Sequence, residues 1–177
     1  MKKLVLASVL LIFTVAGCQQ KEEPKPQYEF PTGSVGSVQS IDQEKLLKEA
    51  LAKDPKNLNA LISLGNMMMD KSRFNEAIDA YQKALDIDPR NVDVRVDLGT
   101  CYRNAGKPDV AVKEYRKALE INPKHVNGHK NLGVVLAYDI KDTKQAVKEF
   151  EAALAIAPNA PDAGALRQEI DKFKAAK

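Results

Sequence analysis

LGTCYRNAGKPDVAVKEYRKALEINP, residues 98–123, decides how this 177-residue chain folds, because the chain writes the same pattern three times. LGNMMMDKSRFNEAIDAYQKALDIDP precedes it at 64–89, and LGVVLAYDIKDTKQAVKEFEAALAIAP follows at 132–158. Gly65, Gly99 and Gly133 stand 34 apart, each behind a leucine. Ala77, Ala111 and Ala146 follow in register, then Tyr81, Tyr115 and Phe150, then Ala84, Ala118 and Ala153, then Pro89, Pro123 and Pro158. A fixed period of this length marks stacked helical units that bury their apolar faces only against one another. Glycine and alanine let two antiparallel helices approach closely, and proline ends the second helix of each pair. The aromatic is expected to fill the space between one pair and the next. The third copy has one extra residue between glycine and alanine, expected in the turn YDIKDT at 138–143.

The flanks extend the array. IDQEKLLKEALAKDP, 41–55, matches only a second helix: Leu47, Ala50 and Pro55 lie 34 residues ahead of Tyr81, Ala84 and Pro89. Asp42 is the expected N-cap, with Ile41 and Leu46 as a hydrophobic staple. After Pro158, Leu166, Ile170 and Phe173 share one face of a polar-backed terminal helix, the cap that a solenoid needs for solubility.

This pattern closely resembles the tetratricopeptide repeat, although Leu61, Arg95 and His129 replace the first aromatic of that signature. The resemblance implies an all-α, right-handed α-solenoid: a half-repeat helix at 41–57, full repeats at 58–91, 92–125 and 126–160, and a capping helix at 161–177. It also implies a concave groove, lined by the first helix of each repeat, that binds a peptide or protein segment.

By matching positions, the groove stripe is Asn59, Ser63, Asn66 and Asp70, then Asp93, Asp97, Thr100 and Asn104, then Asn127, Asn131, Val134 and Tyr138. The spacing i, i+4, i+7, i+11 puts each set on one helix face. Capping near helix starts accounts for Asn59, Asp93 and Asn127, and Asp70 and Asn104 fall near helix ends. Ser63, Asn66, Asp97, Thr100 and Asn131 are mid-helix, where short polar side chains compete for backbone hydrogen bonds. They suit an extended peptide backbone. Arg103 and Lys130 at the groove edge are placed to pair with acidic groups. A well-known subfamily grips the C-terminal carboxylate of heat-shock chaperones with lysine, asparagine, asparagine, lysine and arginine. The matching places here hold Ile62, Asn66, Asp97, Asn127 and Asn131, so that ligand is not expected.

The N-terminus carries a second resemblance. Lys2 and Lys3 precede an apolar run from Leu4 to Ala16, of about 20 Å as a helix and too short for the ~30 Å hydrocarbon core. Val15-Ala16-Gly17-Cys18 then resembles the lipobox of bacterial lipoproteins. That resemblance implies a cleaved signal peptide over 1–17 and lipidation of Cys18, and multiple acyl chains anchor stably. Gln19, where an aspartate would retain the protein in the inner membrane, implies the outer membrane facing the periplasm, or the outer face of the membrane in a single-membraned source. Residues 18–40, with Pro24, Pro26 and Pro31 and a Gly/Ser-rich end, read as a flexible tether of about 26 Å mean span. Tyr28 and Phe30 are unusual in such a segment.

Loss of residues 1–17 leaves 25 basic against 24 acidic side chains, a balance that argues against nucleic acid as a partner. With Cys18 lipidated, Cys101 has no disulfide partner and occupies a place for a small buried residue. His125 and His129 have the i, i+4 spacing of zinc ligands, but Val126 stands where H-E-x-x-H has its glutamate and no third ligand is near in sequence. No cofactor motif and no nucleophile–base–acid set stands out. The expectation is a lipid-anchored adaptor that binds a protein segment, not an enzyme. The alternatives are a structural spacer or homo-oligomer of the envelope, and a metal-dependent enzyme. Similar lipoproteins include pilotin-like factors and scaffolds for peptidoglycan hydrolases, and related repeats hold apocytochromes; nothing in these residues selects among them.

Overall fold

The structure, a computed structural model, describes residues 35–175. The expected signal segment 1–17, Cys18, and Tyr28 and Phe30 of the expected tether lie outside the described residues. Eight α-helices follow one another without a strand among the described residues: α1 (Val35–Lys53), α2 (Leu58–Asp70), α3 (Phe74–Ile87), α4 (Val92–Asn104), α5 (Pro108–Ile121), α6 (Val126–Val135), α7 (Thr143–Ile156) and α8 (Ala163–Ala175). Each packs on the helices before and after it, and α4 also reaches α6, so that the first helices of the second and third repeats are neighbours in an all-α solenoid.

The caps follow the period. Asn57 and Asn91 accept from the backbone N–H three residues on, and His125, 34 residues later, does the same through Nδ1 to Gly128. Capping therefore falls on 57, 91 and 125, and does not account for Asn59, Asp93 and Asn127 as expected. Each intra-repeat turn places one residue in the left-handed region: Ser72 (φ 57°), Gly106 (φ 75°) and Lys141 (φ 68°). Only the central repeat uses glycine where φ is positive.

Two expectations need correction. First, α1 starts at Val35, so the helix takes in residues assigned to the tether, and Asp42 lies inside it rather than at its cap. After Pro31 nothing in VGSVQS forbids a helix; Gly36 costs only about 1 kcal/mol. Leu46 is 64 % exposed and forms no staple. Second, the extra residue of the third copy does not lengthen the turn. It is wound into a π-helical turn, Leu136–Ile140, continuing α6, so Lys141 keeps the same distance to Ala146 as Gly106 keeps to Ala111. The aromatic shares a core cluster with residues of the next pair, and it also lies over the glycine of its own repeat. A Cβ at Gly65 would stand 2.5 Å from Tyr81, and one at Gly99 2.6 Å from Tyr115. Phe150 covers Gly133 in the same way.

The alanines at 77, 84, 111, 118, 146 and 153 are at most 1 % exposed, as close helix approach requires. Two clusters form the core. One joins Leu61, Met68, Tyr81, Val94, Leu98 and Cys101, with Leu51 of α1 against it. The other runs from Val96 and Tyr115 through Leu136 and Phe150 to Ile170, with Leu166 and Phe173 of α8 packed on it. None of the described helices is long and apolar enough to cross a membrane.

Candidate functional site

The expected groove residues lie on one face of α2, α4 and α6, and the structure divides them by what they bond. Tyr81, with no exposed surface, donates its hydroxyl to Oδ1 of Asn66 across 2.7 Å. The Tyr115 hydroxyl lies 3.0 Å from Oγ1 of Thr100, which is itself 3.1 Å from the Val96 carbonyl. Burial pushes the Tyr115 phenol up to about 12, partly offset by Thr100, and burial raises Tyr81 as well. Asn66 and Thr100 therefore have a structural role beside the expected one: each satisfies a buried phenol that would otherwise be stranded. The third repeat confirms the logic. Phe150 has no hydroxyl, and the residue after Gly133 is Val134.

A second set ties one repeat to the next. Nε2 of His125 lies 2.9 Å from Asp93, and Nδ2 of Asn131 donates to Thr100 at 3.4 Å. Nε of Arg103 donates to Asp139 of the π-turn at 2.6 Å, and Lys130 pairs with Asp162 at the approach to α8. The groove-edge cations are therefore occupied within the chain. Tyr138, 41 % exposed, bonds Glu169 through its hydroxyl and meets Phe173 edge-on with ring centroids 5.8 Å apart. The π-turn thus turns Tyr138 and Asp139 to opposite neighbours, α8 and α4.

What remains open is specific. Ser63 and Asn104 are exposed, Asp97 is half-buried, and none of the three has a side-chain hydrogen-bond or ion-pair partner among the described residues. Asn66 keeps its Nδ2 free of those bonds, and Asn131 its Oδ1. Burial raises the Asp97 carboxyl above the usual aspartate range, with Asp93 adding to the shift. At the α1 end, Gln43, Ser63, Asn66, Met67, Asp70 and Lys71 line a surface depression that continues the same face.

The two histidines and the cysteine are accounted for elsewhere. His125 caps α6. His129 has Nδ1 2.7 Å from Glu149 and Nε2 3.0 Å from the Pro123 carbonyl. Arg95, 34 residues earlier, makes the matching set: Nη1 to Glu114 at 2.8 Å and Nη2 to the Pro89 carbonyl at 2.8 Å. A nitrogen-bearing side chain bonded to a second-helix glutamate thus replaces the missing aromatic in two repeats, and Leu61 and Ala80 occupy the matching places in the first. The pairing was readable in the sequence, since Glu114 and Glu149 keep the period and Ala80 breaks it where Leu61 does. Cys101 is fully buried beside the Tyr81 layer, its thiol pushed up to about 12 by burial. No group of three or more candidate metal ligands is found among the described residues.

This geometry defines an α-helical repeat solenoid, with a polar face running along its first helices. Residues 68–132 match the family model described as Tetratricopeptide repeat. Among solved structures, the chain is similar to the crystal structure of MamA, with a TM-score of 0.66, 21 % identity, and 80 % of this chain covering 91 % of that one. It is also similar to the first tetratricopeptide repeat domain of Spaghetti (RPAP3) bound to the HSP90 peptide SRMEEVD, with a TM-score of 0.62, 24 % identity, and 70 % of this chain covering 94 % of that one. No curated protein matches the chain.

Proposed function

We infer that this chain is a lipid-anchored, extracytoplasmic adaptor that holds a segment of another protein along the α2–α4–α6 face. The observation that carries the reading is the unspent hydrogen-bonding capacity of that face. Ser63, Asn104, the Asn66 amide nitrogen and the Asn131 carbonyl offer donors and acceptors on three successive helices, as an extended backbone with alternating N–H and C=O requires. The RPAP3 domain of the same fold is bound to a short peptide, which supports the mode of binding. The anchor rests on the resemblance of Val15-Ala16-Gly17-Cys18 to a lipobox, and Gln19 favours the outer membrane, facing the periplasm. Within the envelope such an adaptor serves complex assembly rather than catalysis, with no cofactor.

Crosslinking in native membranes followed by mass spectrometry tests the adaptor. A dominant foreign protein joined to α2, α4 or α6 is expected, and self-crosslinks alone overturn the reading. Cys18→Ser tests the anchor separately: loss of lipid labelling is expected, with either release from membranes or an uncleaved precursor. A variant that still labels with palmitate and sediments with membranes places the anchor elsewhere.

A further inference from the structure

Charge on the α2–α4–α6 face is one-sided. Helix α2 carries no lysine or arginine. Arg95 and Arg103 of α4 are committed to Glu114 and Asp139, and Lys130 of α6 to Asp162. Against these paired cations, the face presents Asp70, Asp93 and Asp97. Among the described residues Asp93 pairs with His125 alone, and its side chain is 86 % exposed.

Asp97 is the informative member. The other carboxylates that are buried or half-buried among the described side chains have partners: Glu44 has Lys48, Lys71 and Arg73, Glu114 has Arg95 and Lys117, Glu149 has His129, Asp162 has Lys130, and Glu169 has Tyr138 and Lys172. Asp88 and Asp142 accept from backbone N–H groups. Asp97 sits at the middle of the face, half-buried, with none of these. Its register partners in the neighbouring repeats are Ser63 and Asn131, so the place takes a neutral residue without loss of the fold. A half-buried carboxylate with no hydrogen-bond or ion-pair partner costs stability, and burial and Asp93 raise this one, with His125 acting the other way.

We propose that the segment held on this face is basic: an extended stretch of a partner protein that sets a lysine or arginine against Asp97 and Asp93. This rests on the groove reading above and gives it a partner chemistry. Charge complementarity excludes two other occupants. An acidic C-terminal tail would bring like charge against Asp97, with no free cation on these helices to receive it. The chain's own segment 18–34 carries Lys21 and Lys25 against Glu22, Glu23 and Glu29, the wrong balance.

Random dodecapeptides displayed on phage, selected on the detergent-solubilised full chain, provide the test. Selected peptides should be enriched in lysine and arginine and poor in aspartate and glutamate. Their affinity should fall at least tenfold in Asp97→Asn, and should be unchanged in Asp109→Asn on α5. Asp97→Asn is isosteric and should melt no lower than the parent at pH 7, so its loss of binding is not a loss of fold. Peptides without basic enrichment whose binding still falls in Asn131→Ala overturn the basic segment and leave the groove reading standing. Basic peptides that bind Asp97→Asn and the parent alike overturn the assignment to this face. A library that yields no binder overturns the groove reading together with the proposal.

Discussion

The Tyr115 hydroxyl lies 3.0 Å from that of Thr100, joining the second helix of the central repeat to its first one residue beyond Gly99. The ring covers the glycine and the hydroxyl ends on the next side chain, so one aromatic sets both the approach of the two helices and their register.

The two residues should therefore behave as a unit. Tyr115→Phe removes a hydrogen bond but leaves Thr100 on the Val96 carbonyl, and should cost about 1 kcal/mol. Thr100→Val strands a phenol that is 1 % exposed and should cost more, about 1–3 kcal/mol. The double variant recreates the Val134–Phe150 pair of the third repeat, and should lie well above the sum of the singles, with a coupling of about 0.5–3 kcal/mol. Urea denaturation of the four proteins measures it. Additive losses would mean that the hydroxyls do not depend on one another.

Glycine at 99 is fixed by the same ring. Gly99→Ala brings a Cβ to 2.6 Å from Tyr115 and should destabilise by about 1–3 kcal/mol through overpacking. Gly164, in α8, has nothing within 4 Å of a Cβ, and Gly164→Ala should instead stabilise by up to about 1 kcal/mol through helix propensity. Thermal melts of the two variants should move in opposite directions. A common direction would contradict the packing of Tyr115 on Gly99.

These relationships show how much the sequence disclosed. The 34-residue period placed the helix pairs and the buried alanines, because those positions answer to packing within one unit, and the unit is repeated. Pairings across helices were harder to read. Asn66 and Thr100 looked functional because a polar residue on a helix face does not reveal a phenol reaching it from 15 residues away. Comparing the repeats would have exposed it, since polar residue and tyrosine disappear together at Val134 and Phe150. The extra residue of the third repeat was visible, but a turn and a π-wound helix absorb one residue equally well in sequence. Only the conserved left-handed position at 72, 106 and 141 distinguishes them. The commitment of Arg103 and Lys130 to Asp139 and Asp162 depends on where the π-turn and α8 lie, so it had no local signature.

Acid should loosen the N-terminal helix first. Glu44 of α1 bonds Lys48 on its own helix, then Lys71 and Arg73 in the turn between α2 and α3, and these hold its carboxyl down at about 2 from 4.5. A carboxyl depressed on folding stabilises in full above its unfolded value, and that contribution fades as pH falls from about 4.5 towards 2. Hydrogen exchange should show α1 losing protection across this window before α4 and α5 do. In Glu44→Gln the protection of α1 should be lower at pH 7 and nearly flat across the same range. An unchanged pH slope in that variant would mean that the clamp to Lys71 and Arg73 does not hold α1.

The Arg95–Glu114 pair offers a sharper test, because the first repeat already contains its apolar replacement. Both side chains are largely buried, 13 % and 11 % exposed, and Nε of Arg95 is buried without a partner. Removing one member of such a pair leaves an uncompensated charge, whereas replacing both by well-packed apolar groups is often neutral or stabilising. Glu114→Ala should therefore cost about 3 kcal/mol, somewhat less if Arg95 swings to solvent while keeping the Pro89 carbonyl. Arg95→Leu alone leaves Glu114 with Lys117 at 2.8 Å, a half-exposed partner, and should cost less. Arg95→Leu with Glu114→Ala copies Leu61 and Ala80, and should recover most of the loss or exceed the parent. The comparison is made in high salt as well as low, because a buried pair is screened far less than a surface one. A double variant as weak as Glu114→Ala would show that the pair is needed for the packing of α4 on α5 itself. Recovery would show instead that the central repeat keeps a costly charged solution where an apolar one also folds.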